Sequence, residues 1–204
     1  MTFLLAVDTA STTFAVALAR DGVVVSCAQH EEPQEHSRAL LASIDEVCSV
    51  GGGRPDRLAI VVGPGSYAGL RVGIATVQGL AIAGSIPVAA VGTLEAVAAG
   101  SGFLSLTAIH PAGRGEYAAQ DFSDGVAVSS VRLVSLTELE GAKVAGEEAT
   151  AVGGLEVTPL ERCHAAVRVA TRRDPVEADR LDAIYVREPN ITRPRRGAVG
   201  QVRE

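Results

Sequence analysis

Tryptophan is absent from this chain, methionine occurs once, and aromatic residues make up only 3% of its 204 positions. A core must therefore be filled by Val, Ala, Leu and Ile, which suits an α/β protein of one large or two small domains. Cysteine is scarce as well. Cys27, Cys48 and Cys163 are scattered, odd in number and outside any C-x-x-C pair, which argues for reduced thiols and a cytoplasmic location rather than a disulfide framework or a zinc site. A basic surplus is missing too: a net charge of −6 excludes a protein that coats nucleic acid unaided, because neutralising phosphates takes a clustered positive surface. The start, Met1 to Asp8, lacks a basic segment and meets a carboxylate too soon for a signal peptide. The most apolar window, 72–91, is interrupted by Gln78, glycines and Pro87, so it reads as a buried helix and a strand, and no membrane partner is expected.

What is present has a clear order. Phe3–Val7 reads as an apolar strand ending in the polar run Asp8 to Thr13, Phe14–Ala19 as a second strand, and Asp21-Gly22 as a hairpin turn before a third at Val23–Cys27. From Gln34 to Cys48 the period changes, with Leu40, Leu41, Ile44, Val47 and Cys48 on one side and charged residues on the other, giving an amphipathic helix. The strand Leu58–Val62 leads into the glycine-rich segment Gly63-Pro64-Gly65-Ser66-Tyr67-Ala68-Gly69-Leu70-Arg71-Val72-Gly73. A helix over 68–84 follows, apolar all round, with Arg71 its one charge and Gly69, Gly73, Thr76 and Gly79 offering small positions at helical spacing. A strand at 86–91 and a short helix at 93–99, capped by Thr93, close this region. Gly100-Ser101-Gly102 suggests a boundary between residues 1–100, an N-terminal lobe, and 101–187, a smaller C-terminal lobe. In the latter, strands are expected at 104–109, 117–122 and 183–186, and a helix at 159–172. Residues 188–204 form a basic tail, expected to be extended. No internal sequence repeat is visible.

This order, together with Ala6-Val7-Asp8-Thr9, His36-Ser37 with Leu40-Leu41, the eleven-residue glycine segment, Gln78-Gly79-Leu80-Ala81 and Tyr185-Val186-Arg187, resembles the TsaB (YeaZ) family. The resemblance is dense over residues 3–100 and sparse afterwards. It implies an actin-like, Hsp70-like ATPase (ribonuclease H-like) fold with a shortened second lobe. It also implies a non-catalytic scaffold that binds a TsaD-like catalytic subunit and, through that complex, a TsaE-like ATPase, with tRNA only as the complex's substrate. The reaction is threonylcarbamoyl transfer to adenosine 37 of tRNAs reading ANN codons, and a homodimer is expected when the chain is alone. Two departures stand out: Tyr67-Ala68 replaces the family's Phe-Thr, and His110 to Glu116 replaces its Asp-Ala, basic residue, Gly-Glu run.

The residues themselves leave little room for catalysis. Gly63, Pro64, Gly65 and Ser66 could cradle phosphate at a helix N-terminus, and Asp8 stands where a nucleotide's metal would be held. Yet no glycine follows Asp8 to let the backbone approach a phosphate, and Gly153-Gly154 is a weak candidate for a second phosphate loop. Asp8 therefore reads as a vestigial nucleotide or metal position, or as a turn cap. No metal site is expected, since the 93–99 helix has no histidine, His30 and His36 are not one turn apart, and Cys163-His164 are adjacent. Ser66 has no nucleophile frame and reads as an N-cap. No catalytic residue and no cofactor are expected, and a stand-alone ATP-dependent phosphotransferase or ATPase is the competing reading. The expected partner interface comprises His36, Ser37, Leu40, Leu41, Ile44, Val47, Gly69, Val72, Gly73, Thr76 and Leu80, and a bulky charge at Gly73 or Thr76 should block binding without disturbing the fold. Arg172, Arg173, Arg187, Arg193, Arg195 and Arg196 read either as solvated charge or as contacts to a tRNA backbone.

Overall fold

The computed structural model describes residues 1–31 and 36–187, with the side chains of His36 and Ser37 outside that description. Expectations for the basic tail and for the helix start at 34–35 thus lie outside the described residues. Strands β1 (Phe3–Asp8), β2 (Phe14–Arg20), β3 (Val23–His30), β4 (Arg57–Val61) and β5 (Val88–Val91) form one sheet in the order β3-β2-β1-β4-β5. The first three strands are antiparallel, while β1, β4 and β5 run parallel.

Alternation along the strands gives this sheet two unlike faces. Leu5, Val7, Val16, Leu18, Leu58 and Ile60 point to one side and meet Leu40, Ile44 and Val47 of α1 (His36–Gly51) and Ile74, Val77 and Ala81 of α2 (Tyr67–Gly84). Ala6, Ala15, Ala17, Ala19, Ala59 and Ala89 point to the other, where Cys163, Ala166, Val167 and Ala170 of α4 (Pro159–Thr171) settle onto them. The small residues let this helix seat closely, and its Cys163 thiol reaches the carbonyls of Ala6 and Ala15 at 3.4 and 3.6 Å.

The second sheet repeats the pattern. Strands β6 (Ser105–Pro111), β7 (Tyr117–Ser123), β8 (Val126–Ala127), β10 (Val144–Gly146) and β11 (Leu155–Glu156) run in the order β11-β10-β6-β7-β8, with β9 (Arg132–Val134) also pairing β7. Where the first sheet has α1 and α2, this one has single 3-10 turns, Leu136–Leu139 and Ala149–Val152. This duplicated arrangement is the actin-like, ribonuclease H-like fold with a reduced second half. The repeat lies in the topology, not in the sequence.

Several boundaries differ from the sequence reading. The helix α3 (Thr93–Ser101) is capped by Gly92, whose N–H donates to the Glu95 carboxylate at 3.3 Å, rather than by Thr93. Residues 183–186 form no strand; Ile184 N–H donates to Val62 O at 2.7 Å as an extended segment. Gly153 and Gly154 close the second 3-10 turn, and the Gly154 N–H donates to Ala149 O at 2.9 Å, so they shape a turn rather than a phosphate loop. The α4 helix, read as part of the second lobe, packs on the first sheet, while α3 packs against β6 and β10 of the second. A cut at residue 100 therefore separates the strands of the two sheets but not their helices.

Candidate functional site

The glycine segment turns at the carboxyl end of β4. Gly63 takes φ +113° and precedes a cis Pro64, and a side chain at Gly63 would collide with the Ile184 carbonyl. A Cβ at Gly65 would lie 2.5 Å from Ala10 O, and the Ser66 N–H donates to that same carbonyl at 2.6 Å. Ser66 then caps α2, its hydroxyl accepting from Gly69 N at 3.3 Å. Gly69 faces the Thr9 carbonyl and Gly73 the Thr9 side chain, each too close for any Cβ. The Thr9-Ala10 loop thus packs directly against the turn and takes up its Ser66 N–H.

Beneath that loop lies a buried ionic cluster that sequence reading did not assemble. Asp8, at the end of β1, and Arg162, in the first half of α4, are both 0% exposed. Arg162 Nε donates to Asp8 Oδ2 at 2.7 Å and its Nη2 to Asp8 Oδ1 at 3.4 Å, while Asp8 Oδ1 also accepts from Ala10 N at 2.9 Å. The same guanidinium donates to Ser11 Oγ at 2.8 Å and to Glu147 Oε2 at 2.9 Å, and Ser11 Oγ donates to Glu147 at 2.5 Å. His110 completes the cluster from β6: its Nε2–H donates to Ala10 O at 3.3 Å, leaving Nδ1 to accept from Arg162 Nη1 at 3.4 Å. One arginine therefore ties the β1 end and the β1–β2 loop of the first half to β6 and the residue after β10 in the second.

The electrostatics follow from burial. Desolvation first, and the Arg162 charge second, push the His110 imidazole down to about 4, so it is neutral at pH 7. Burial opposes ionisation of Glu147, but the Ser11 hydroxyl and the Arg162 guanidinium outweigh it and hold this carboxyl below its usual range. Burial likewise works against charge on Arg162, and the Asp8 and Glu147 carboxylates overcome it.

Of the two readings of Asp8, a vestigial nucleotide or metal position or a turn cap, the geometry supports the cap, since Oδ1 accepts the Ala10 N–H at 2.9 Å. Both carboxylate oxygens also accept from the Arg162 guanidinium, so these residues do not fit a metal. No group of three His, Cys, Asp or Glu that could hold a metal occurs among the described residues. Sequence reasoning missed Arg162, His110, Glu147 and Ser11. The usable signal was Arg162 itself, a charge at helical spacing from the apolar Ala166 and Ala170 of α4.

The expected interface residues divide. Leu40, Ile44, Val47, Gly69 and Gly73 are buried in this chain's own interior, so they are corrected to core positions, and a bulky side chain at Gly73 would disturb the fold. The reason is the helical phase: 69 and 73 point at the Thr9 loop. Val72, Thr76 and Leu80 are half-buried, Leu41 is 54% exposed, and the side chains of His36 and Ser37 lie outside the described residues. The outward face of α2 instead carries Ala68, Arg71, Ala75, Gly79, Ile82 and Ala83, all exposed. Gln78 is drawn inward and donates to the carbonyls of Ala178 and Leu181 at 2.9 and 3.2 Å. Among the described residues no helix is long and apolar enough to cross a membrane.

Three comparisons place the chain. A family model described as TsaD, tRNA N6-adenosine threonylcarbamoyltransferase, matches residues 18–132. The tRNA threonylcarbamoyladenosine biosynthesis protein TsaB of Escherichia coli is 37% identical over 103 residues, which are 48% of this chain and 43% of that protein. The Bacillus subtilis protein of the same name is 30% identical over 99 residues, 47% of this chain and 43% of that one. The matched segment thus spans less than half the length of these relatives. Among solved structures, YeaZ from Pseudomonas aeruginosa superposes with a TM-score of 0.73 at 24% identity, covering 91% of this chain and 100% of that one, which speaks to the fold. The chain belongs to the family of TsaD, tRNA N6-adenosine threonylcarbamoyltransferase, and is similar to proteins named TsaB and YeaZ.

Proposed function

We propose that this chain is a non-catalytic accessory subunit in the synthesis of threonylcarbamoyladenosine on tRNA, and that it works by docking a TsaD-like catalytic subunit. The observation that carries this is the outward face of α2. An 18-residue helix with a single charge leaves Ala68, Ala75, Gly79, Ile82 and Ala83 open to solvent, with Ile82 67% exposed, and Leu41 stands exposed on the adjoining α1. Small residues let a second helix approach closely, and the apolar surface is worth about 25 cal/mol per Å² once covered. In this reading the same face closes a homodimer when the catalytic subunit is absent. The TsaE-like ATPase joins through the complex, tRNAs reading ANN codons are its substrate, and the setting is cytoplasmic.

The lack of chemistry in this proposed role rests on the Thr9-Ala10 loop packed against the turn and on the Asp8 carboxylate paired with Arg162. A stand-alone ATPase needs a carboxylate free for Mg²⁺ and backbone donors free for phosphate, and here Arg162 holds the first while Ala10 O takes the Ser66 N–H. Gly79 provides the test of docking, since a side chain there meets nothing within 4 Å. Gly79→Arg is expected to leave the melting temperature within a few degrees and to abolish co-purification with a TsaD-like subunit and self-association in size-exclusion chromatography. Retention of both by the folded variant would sink the proposed interface.

A further inference from the structure

The outward face of α2 carries one charge, and that charge is held in place. Arg71 is exposed, yet its guanidinium carbon lies 4.5 Å from the centroid of the Tyr67 ring, a cation–π contact. It is also hydrogen-bonded to Tyr185, which strengthens its positive charge. Tyr185 packs in turn on Tyr67, ring centroids 5.1 Å apart, where both line a cleft beside the glycine turn. The backbone behind Tyr185 is fixed as well, since Ile184 donates its N–H to Val62 O at 2.7 Å. Two of the chain's three tyrosines thus orient one surface arginine. Arg132, Arg162, Arg173 and Arg187 each meet a carboxylate. Arg71 has no such ion pair among the described residues; Asp182 acts on it only from a distance and accepts the Ala183 N–H.

A guanidinium already fixed on an aromatic face loses little further rotamer freedom when it pairs, so it lends selectivity to a contact that apolar surface alone leaves unspecific. Its planar fork of N–H donors fits a carboxylate. The exposed residues along the same helix, Ala68, Ala75, Gly79 and Ile82, are small or apolar; they suit a packed helix and not a phosphate backbone, which would call for further cations. A second copy of this chain is the poorer match. From Tyr67 to Gly84 there is no Asp or Glu, so two α2 helices laid on each other bring no carboxylate to either Arg71. We propose that Arg71, positioned by Tyr67 and Tyr185, is the partner-selecting residue of the α2 face, taking a carboxylate presented by a helix of the catalytic subunit in preference to a second copy of this chain. This selection rests on the docking of α2 proposed above and names what the partner's surface must carry.

Two dissociation constants test it, each at low and at high salt: that of the full chain with the TsaD-like subunit of the same organism, by calorimetry, and that of its self-association, by analytical ultracentrifugation. Arg71→Ala, an exposed change, is expected to keep the parent's melting temperature and to weaken binding to the subunit about tenfold at low salt and less at high salt, while self-association stays within about twofold. Arg71→Glu should weaken it about a hundredfold, like charges now facing each other, and changing one acidic residue of the partner's docking helix to arginine should restore it. Tyr185→Phe, which keeps the ring and removes the hydroxyl, should show part of the loss seen with Arg71→Ala. Subunit binding unaffected by Arg71→Ala, an equal loss of self-association, or failure of every such partner change to rescue Arg71→Glu overturns the selection. Gly79→Arg tells the two readings apart. If it leaves subunit binding intact, the docking face is wrong and the role of Arg71 falls with it; if it abolishes binding while Arg71→Ala does not weaken it, only the role of Arg71 is lost.

Discussion

The two halves of this molecule use one topology with very different means. The first sheet is covered on one face by α1 and α2, of 16 and 18 residues, and on the other by α4. In the second, the corresponding connections shrink to four-residue 3-10 turns, and its strands β8 to β11 are two or three residues long. The long helices give the first half a large core of its own. The second half gains burial by leaning on α3 and on the joint between the sheets. A half reduced this far needs a strong tie to its neighbour, and the Asp8–Arg162–Glu147 cluster with His110 is that tie.

The comparison can be broken most severely at the arginine. Arg162→Met leaves Asp8 charged, buried and without its partner, and should cost about 3–5 kcal/mol in urea unfolding. Adding Asp8→Asn should recover much of that loss; an Arg162→Met variant as stable as the parent would remove the joint from the account. The second half's own contribution is read through pH. The His110 pKa falls from an ordinary 6.5 to about 4 in the folded state, so the unfolded chain takes up a proton first as pH drops. Stability is then full above about 6.5 and declines as pH falls toward 4. Between pH 7 and 5 the loss attributable to His110 is about 2 kcal/mol, and His110→Gln should flatten that slope. The smallest effect is expected on the second half's surface. Arg132 and Asp121 pair at 2.8 Å with both side chains more than a third exposed, so Arg132→Ala should change stability by less than about 1 kcal/mol in the same assay.

How much of this was legible depends on the length of the pattern. The helices α1, α2 and α4 and the opening strands showed long periodic runs, and their structural limits fall within a few residues of the sequence reading. Strands β8 to β11 gave no period to read. The α2 helix misled in an instructive way. Gly69, Gly73, Thr76 and Gly79 looked like one small-residue line, but a helix that is apolar all round carries no signal for which side faces inward. The Thr9 loop claimed Gly69 and Gly73, and Gly79 was left on the surface.

Composition and periodicity alone determined an α/β chain with an aliphatic core, the succession of strands and helices over residues 3–100, a glycine turn capped by Ser66 and the lack of an i, i+4 histidine pair. Only the tertiary structure decided what Asp8 does, because its partner Arg162 lies 154 residues away and no local pattern announces so distant a pairing. It also decided that the Thr9-Ala10 loop packs against the glycine turn and that Tyr67 and Tyr185 share one cleft. Local sequence fixes backbone preferences over a few turns of chain, whereas a buried charge must find its counter-charge wherever the fold delivers it.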